Sequence, residues 1–212
     1  MNCPLCASGN VYEYAKVNWR TFFRCRDCTL VFVPPHYHCT PDEEQRRYAL
    51  HDNTESNEGY VRYLGQTVSV ICERLPVEAR VLDFGCGEHA VLAALLRKKG
   101  LRCSFWDPLY ERHARTLTDG EHFGMVVINE VIEHCRNIGE TLETVRGLLS
   151  DEGEVVVRTQ CYPDDPARFE KWWYVQDPTH VIFFSQQSLQ TAAAMLDRSL
   201  ETTDFNDIYI LS

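Results

Sequence analysis

Four cysteines stand in two matched pairs at the start of this chain, Cys3-Pro-Leu-Cys6 and Cys25-Arg-Asp-Cys28. A two-residue gap puts both thiolates of a pair on one tight knuckle, and four thiolates complete the tetrahedral shell that suits Zn²⁺. The 18 residues between the pairs fall within the interval of a zinc ribbon. A redox dithiol would be expected at the start of a helix, whereas these pairs adjoin the alternating segments Thr21–Cys25 and Leu30–Val33, which read as short strands stopped by Pro34-Pro35. A closed four-sulfur shell leaves no position for a substrate, so the zinc is expected to be structural. Residues 1–38 are read as the ribbon, and chelation is expected to melt residues 1–35 without abolishing the remaining fold.

The chain has 212 residues, enough for one α/β domain of ordinary size plus this module. Ten cysteines could signal an exported disulfide scaffold, but no basic segment followed by an apolar one opens the sequence, and a chain this long does not need such staples. Reduced thiols and a cytoplasmic location are therefore expected. Cys39, Cys72, Cys86, Cys103, Cys135 and Cys161 are scattered, as small buried residues would be. No apolar run approaches the roughly 20 residues of a membrane span. The net charge of −10 is uneven: residues 1–48 carry six Lys+Arg against five Asp+Glu, the remainder 15 against 26. An acidic main body repels phosphate backbones, which points away from long nucleic acids and toward a small-molecule partner.

Residues 39–75 read as a connector with a short helix at Pro41–Ala49 and a longer amphipathic helix from Gly59 to Leu75. From residue 76 to 212 the pattern alternates. Strands are expected at Arg80–Phe84, Leu101–Trp106, Gly124–Asn129 and Glu154–Thr159, and helices at Ala90–Lys99, Leu109–Leu117, Ile138–Leu149 and Ser185–Leu196. An antiparallel hairpin, Leu200–Thr203 with Ile208–Leu211, closes the chain. Strand–helix alternation of this kind specifies a doubly wound, mostly parallel α/β sheet of Rossmann-like type.

At the end of the first of these strands stands Asp83-Phe84-Gly85-Cys86-Gly87. A glycine-bearing turn between a parallel strand and a helix is where such sheets bind ligands, and glycines let backbone approach them closely. A lone GxG is also what a plain strand–helix turn looks like. Asp107 ends the next strand, 22 residues after Gly85, and an acidic residue there can accept hydrogen bonds from both ribose hydroxyls of an adenosine cofactor without a 2′-phosphate.

Leu82–Gly87, Asp107, Glu130-Val131-Ile132-Glu133-His134, Leu148–Gly153 and Asp177–Ser185 together, in order and spacing, resemble the class I S-adenosylmethionine-dependent methyltransferases, in a bacterial-type branch carrying an N-terminal zinc ribbon. The resemblance covers almost the whole chain. It implies methyl transfer with S-adenosyl-L-methionine held by Asp83, Gly85, Cys86, Gly87, Asp107 and Asn129. Two departures stand out. The family's third loop glycine falls at His89, and only residues 108–124 separate Asp107 from Met125, so a third strand must be compressed or missing, with Asp119 or Glu121 available for the adenine.

If the chain rolls into a helical turn after Asn129, Glu130 falls at i, i+3 and i, i+4 from Glu133 and His134, and the three converge. With His180 they would form a catalytic group. The set is similar to that of metal-dependent O-methyltransferases acting on ubiquinone precursors or on the 3′-terminal ribose of small RNAs, which implies Mg²⁺ or Mn²⁺. His180 as a metal-free general base, or a structural role for the motif, are the competing readings. Trp173 and Tyr174, in an insertion, and Tyr60 are candidate acceptor-lining residues; equally, one Trp of Trp172-Trp173 packs the insertion down. Arg20, Arg24 and Arg26 read as a solvated basic edge. The expected activity is O-methylation of a small hydroxylated metabolite, the alternatives being an RNA terminus as acceptor, or a non-catalytic scaffold that binds the cofactor or a protein.

Overall fold

The structure, a computed structural model, describes residues 1–110 and 120–212. The helix expected at Leu109–Leu117 and the candidate Asp119 fall largely or wholly outside them.

The N-terminal sheet is antiparallel: β1 (Val11–Val17) pairs with β2 (Arg20–Cys25), and β2 with β3 (Val31–Phe32). β1 was not among the expected strands, although Val11-Tyr-Glu-Tyr-Ala-Lys-Val alternates as a half-buried strand does. The connector forms α1 (Pro41–Tyr48), started by a capping box between Thr40 and Glu43, and α2 (Glu58–Arg74), capped by Asn57.

The main sheet follows. β4 (Arg80–Phe84) leads to α3 (Val91–Lys98) and β5 (Arg102–Trp106). β6 (Phe123–Asn129), α4 (Ile138–Leu148) and β7 (Leu149–Arg158) come next. An insertion holds the short α5 (Pro166–Lys171), and β8 (Ile182–Phe183), α6 (Gln186–Met195), β9 (Leu200–Thr202) and β10 (Ile208–Leu211) complete the chain. The strand order is β5-β4-β6-β7-β10-β9, parallel from β5 through β7 and antiparallel at the terminal hairpin. Among the described residues β5 is the edge strand.

Period-two alternation divides the core. Val81, Met125, Val127 and Val156 face α2 and α3 on one side of the sheet. Leu82, Val126, Ile128, Val155 and Val157 face the other, where they share one apolar cluster with α4, α6 and the ribbon residues Phe22, Leu30, Val31 and Phe32. β8 explains the sharing. Instead of joining the main sheet, it pairs with β3 as the fourth strand of the ribbon sheet, Val31 opposite Phe183 and Phe32 opposite Ile182. Phe22 packs edge-on against Phe169 and Phe183 at 5.3 and 5.6 Å. This continuity, a shared core and a shared strand, argues for residues 1–35 melting together with the main sheet instead of alone.

Candidate cofactor and acceptor site

The two cysteine knuckles are near copies of each other. In each, the residue after the second cysteine, Ala7 (φ 60°) or Thr29 (φ 61°), is left-handed and returns its N–H to the carbonyl of the first cysteine. The fold brings Cys3 Sγ to 3.5 Å from Cys28 Sγ, and Cys6 Sγ to 3.6 Å from Cys25 Sγ, with all four sulfurs within 4.8 Å of one another. A tetrahedron with Zn–S of about 2.3 Å has sulfurs about 3.8 Å apart, so the quartet fits structural zinc.

At the tip of β4 the backbone is left-handed at Gly85 (φ 82°), Gly87 (φ 66°) and Ala90 (φ 46°). Gly85 is required by packing: a Cβ there would lie 2.6 Å from Val131 on the adjoining loop. A Cβ on Gly87 would meet nothing within 4 Å, so that stretch of backbone borders open space. His89 needs no glycine because the third left-handed position belongs to Ala90, the residue preceding α3. Asp107 folds back over this turn. Its Oδ2 accepts from Gly87 N at 2.9 Å and its Oδ1 from Leu109 N at 2.9 Å, which holds the carboxylate at the mouth of the loop, where the family's ribose-binding acid stands. Tyr60, largely buried on α2, lies close enough to Asp83, Glu130 and Cys86 that burial, then these groups, push its hydroxyl pKa up. The half-buried Cys86 donates to the Gly87 carbonyl at 3.4 Å.

Two expected cofactor residues are engaged elsewhere. Asn129 Oδ1 accepts from Thr67 Oγ1 of α2 at 2.8 Å. Asp83, only 3 % exposed, points under the turn, where Oδ2 accepts from Ala93 N in the first turn of α3 at 3.2 Å. Burial pushes the Asp83 pKa up to about 7, the nearby Asp107 adds to this, and the Ala93 N–H opposes it. Between the unfolded-state value near 4 and about 7 the native chain therefore holds a proton that the unfolded chain has released, so this group's contribution to stability is lost as pH rises through that window. Asp83→Asn, which keeps an acceptor for Ala93, is expected to flatten that part of the profile and to gain roughly 2–4 kcal/mol at pH 8 over pH 4 relative to the parent chain, measured by urea unfolding.

Beyond β6 the chain departs from the expected helical turn. Glu130 is left-handed (φ 53°), Val131 sits at φ −134°, ψ −37°, and a 3₁₀ turn covers only Ile132–His134. Glu130 thereby stays near Glu133, both reaching the Tyr174 hydroxyl, but outside the cluster that Glu133 forms with His134. Burial raises the Glu130 pKa to about 7, against the Tyr63 hydroxyl and the Arg158 guanidinium, which favour the charge. Glu133, fully buried, accepts from the Tyr174 hydroxyl at 2.5 Å and from Thr159 Oγ1 at 3.2 Å. Its pKa is pushed well up by burial and then by the Glu130 charge. Ligand atoms of Glu133, His134 and His180 lie within 4.8 Å of one another, and Glu130 stands outside that group.

Both imidazoles are oriented by backbone carbonyls. His134 Nδ1 lies 3.1 Å from the Thr179 oxygen and His180 Nδ1 lies 2.8 Å from the Tyr174 oxygen. A carbonyl only accepts, so in His180 Nδ1 carries the proton and Nε2 keeps its lone pair; His134 Nδ1 also faces the Tyr48 hydroxyl at 3.2 Å, and donation to Thr179 O leaves its Nε2 lone pair free in the same way. Burial pushes the His134 pKa down to about 4 and, with His134 close by, that of His180 to about 3, which leaves both rings neutral at pH 7. Two neutral imidazoles beside a buried carboxylate, with His134 Nε2 3.9 Å from Glu133 Oε1, make a donor set for a divalent cation, whose charge would offset the desolvation that Glu133 otherwise bears.

Tyr174 is corrected as an acceptor-stacking residue: it is fully buried, stacked on Trp172 at 4.8 Å, with its hydroxyl committed to Glu133 and, at 3.4 Å, to Glu130. Trp172 packs the insertion down, and Trp173, 63 % exposed, is the aromatic left at the surface. Sequence reasoning missed two buried arginines. Arg158, 2 % exposed, pairs with Asp207 at 2.9 Å, donates to Tyr63 O and Gln66 Oε1, and ties α2 to β7 beside Glu130. Arg20 is not on a solvated edge but 3 % exposed. A charged residue ending the apolar run Val155-Val156-Val157 was the only sequence signal for either.

Residues 51–197 match the family model described as "Methyltransferase domain". No curated protein matches the sequence significantly. Among solved structures, an O-methyltransferase family protein from Burkholderia thailandensis superposes with a TM-score of 0.56 at 20 % identity, over 79 % of this chain, which spans 61 % of that protein's length. A protein from Pyrococcus horikoshii gives 0.56 at 14 % identity, over 78 % of this chain and 96 % of its own. The 1,6-didemethyltoxoflavin-N1-methyltransferase of Burkholderia thailandensis, solved with S-adenosylhomocysteine, gives 0.53 at 15 %, over 94 % and 97 %. At these identities the neighbours establish the fold, and no described helix is long and apolar enough to cross a membrane. A sheet that places its glycine turn under an acidic residue from the neighbouring strand, in a segment matched by that family model, has one reading: this chain belongs to the class I S-adenosylmethionine-dependent methyltransferases.

Proposed function

We propose that this protein transfers a methyl group from S-adenosylmethionine to an oxygen of a small hydroxylated metabolite, with a divalent ion such as Mg²⁺ or Mn²⁺ held by Glu133, His134 and His180. The cofactor supplies an activated methyl sulfonium, so the work left to the chain is alignment, exclusion of water and removal of one proton. Gly85, Gly87 and Asp107 form the cofactor cradle, with Tyr60 above it. Asp83 acts beneath it by fixing the start of α3, and Asn129 by fixing α2. Glu133, His134 and His180 would hold the ion, which lowers the pKa of a coordinated hydroxyl and orients it. Tyr174 orders the carboxylates, and Trp173 is the exposed aromatic available to an acceptor.

The observation that carries this reading is the pair of buried, neutral imidazoles, each with Nδ1 against a backbone carbonyl, gathered with one buried carboxylate so that a ligand atom of each lies within 4.8 Å of the others. An acidic body and small-molecule acceptors among the fold's relatives favour a metabolite over an RNA end. The test is labelled-methyl transfer to a panel of small phenols, catechols and sugars after EDTA treatment, with ribbon zinc quantified in parallel. Activity is expected to disappear and to return with Mg²⁺ or Mn²⁺ while zinc content stays constant. Full turnover in EDTA at constant zinc would overturn the metal and leave His180 as a general base.

A further inference from the structure

The ribbon is joined to the loop that carries His180 and to the body behind it. The Arg20 guanidinium, on β2, donates to four backbone carbonyls of that loop: Val175 O, Asp177 O at 3.1 Å, Pro178 O at 3.4 Å and His180 O at 3.0 Å. Val33, just past β3, donates its N–H to Val181 O at 3.0 Å, and Val181 N donates to Glu133 O at 2.9 Å, so one backbone ladder joins the ribbon to both the His180 loop and the Glu133 turn. The second cysteine knuckle is docked on the same body, through Thr29 Oγ1 to Ser185 Oγ at 2.5 Å, Tyr162 OH to Thr29 O at 2.7 Å and Gln187 Nε2 to Asp27 O at 2.8 Å.

We infer that Arg20 is a positioning residue for His180, and that the zinc ribbon is a buttress of the acceptor site and not an independent recruiting arm. An arginine with five donors in a rigid fork can bind a curved row of carbonyls; no other side chain carries enough donors to do so. Held this way, the loop puts the Tyr174 carbonyl against His180 Nδ1 and the Thr179 carbonyl against His134 Nδ1, which fixes both rings in the cluster with Glu133. Asp177 takes part from the other side. Its Oδ1 accepts from Thr179 N and Oγ1, and its Oδ2 pairs with Arg47 of α1 at 2.8 Å. Burial opposes its charge, but these partners outweigh it and hold the carboxyl below the usual range. The loop is thus clamped between an arginine from the ribbon and one from the connector. The chemical importance of His180 rests on the function proposed above; the mechanical coupling does not.

The experiment compares the full chain, zinc in place, with Arg20→Ala and Arg20→Lys. Imidazole ¹⁵N–¹H correlation spectra report the His180 tautomer, hydrogen exchange reports the Val181 amide, and calorimetry reports S-adenosylhomocysteine affinity. With zinc content and cofactor affinity unchanged, Arg20→Ala is expected to lose the single Nδ1–H form of His180 and to speed Val181 exchange by roughly 10-fold or more, as the loop's carbonyls lose a buried, charged donor and open more often. Arg20→Lys, which keeps the charge but reaches fewer carbonyls, is expected to lie between. If Arg20→Ala does not fold, the lysine variant carries the test alone. An unchanged tautomer and unchanged exchange in a folded variant would overturn the inference, whether or not the metal proposal survives.

Discussion

Removing the zinc that the cysteine quartet would hold, or replacing Cys28 with Ser, is expected to lower the thermal midpoint of the whole chain by about 6–20 °C, in a single transition. The ribbon residues Phe22, Leu30, Val31 and Phe32 belong to the same apolar cluster as Leu82, Val126, Val155 and Val157 of the main sheet, and the fourth strand of the ribbon sheet, Ile182–Phe183, is supplied from beyond residue 180. Losing the metal therefore frays a shared core. A loss of about 3–5 kcal/mol, typical where a metal or a buried polar cluster is removed, corresponds at this chain length to about 2–4 °C per kcal/mol. Differential scanning calorimetry at constant protein concentration reads it. A separate low-temperature transition, with the main transition unmoved, would show that the ribbon folds independently after all.

His180→Ala is expected to lower turnover by roughly 10²- to 10⁴-fold, whether the imidazole binds an ion or takes a proton. Affinity for S-adenosylhomocysteine should stay within about twofold, because the cofactor loop lies at the β4 tip and makes no contact with His180 in the described hydrogen bonds. His180→Gln controls for the carbonyl of Tyr174, which accepts from His180 Nδ1 at 2.8 Å and would be left without a donor in the alanine variant. Steady-state kinetics with saturating cofactor separate the two effects. Retained turnover in both variants would remove His180 from the chemistry.

Much of this fold was legible because its signals are local. Val81-Leu82, Met125–Ile128 and Val155–Val157 read as buried strands from composition alone, and the helices expected over Pro41–Ala49, Gly59–Leu75 and Ser185–Leu196 stand within a residue or two of where the structure has them. The cysteine quartet, which the fold gathers into a cluster fit for zinc, was legible from spacing. What escaped depends on contacts distant in sequence. Ile182–Phe183 is too short for its apolar pattern to say which sheet it joins, and it went to the ribbon because β3 offers an unpaired edge there. Arg20 and Arg158 are charged residues whose burial depends on carbonyls and an aspartate 49 to 160 residues away. Glu130 was placed with Glu133 and His134 by assuming a helical turn, and a single left-handed residue, φ 53°, keeps it outside their cluster. Tyr174 was taken for a surface aromatic because periodicity cannot tell which of three adjacent aromatics faces inward.

The central claim is that the turn from Gly85 to Ala90, closed by Asp107, holds the adenosine of S-adenosylmethionine. Isothermal titration of the zinc-loaded protein with S-adenosylhomocysteine tests it most directly. The account predicts one site per chain, and a loss of roughly 10- to 100-fold in affinity for Asp107→Ala, the scale of one or two hydrogen bonds to a charged acceptor. Absence of binding by the folded parent chain, or equal affinity in the Asp107→Ala variant, would contradict it.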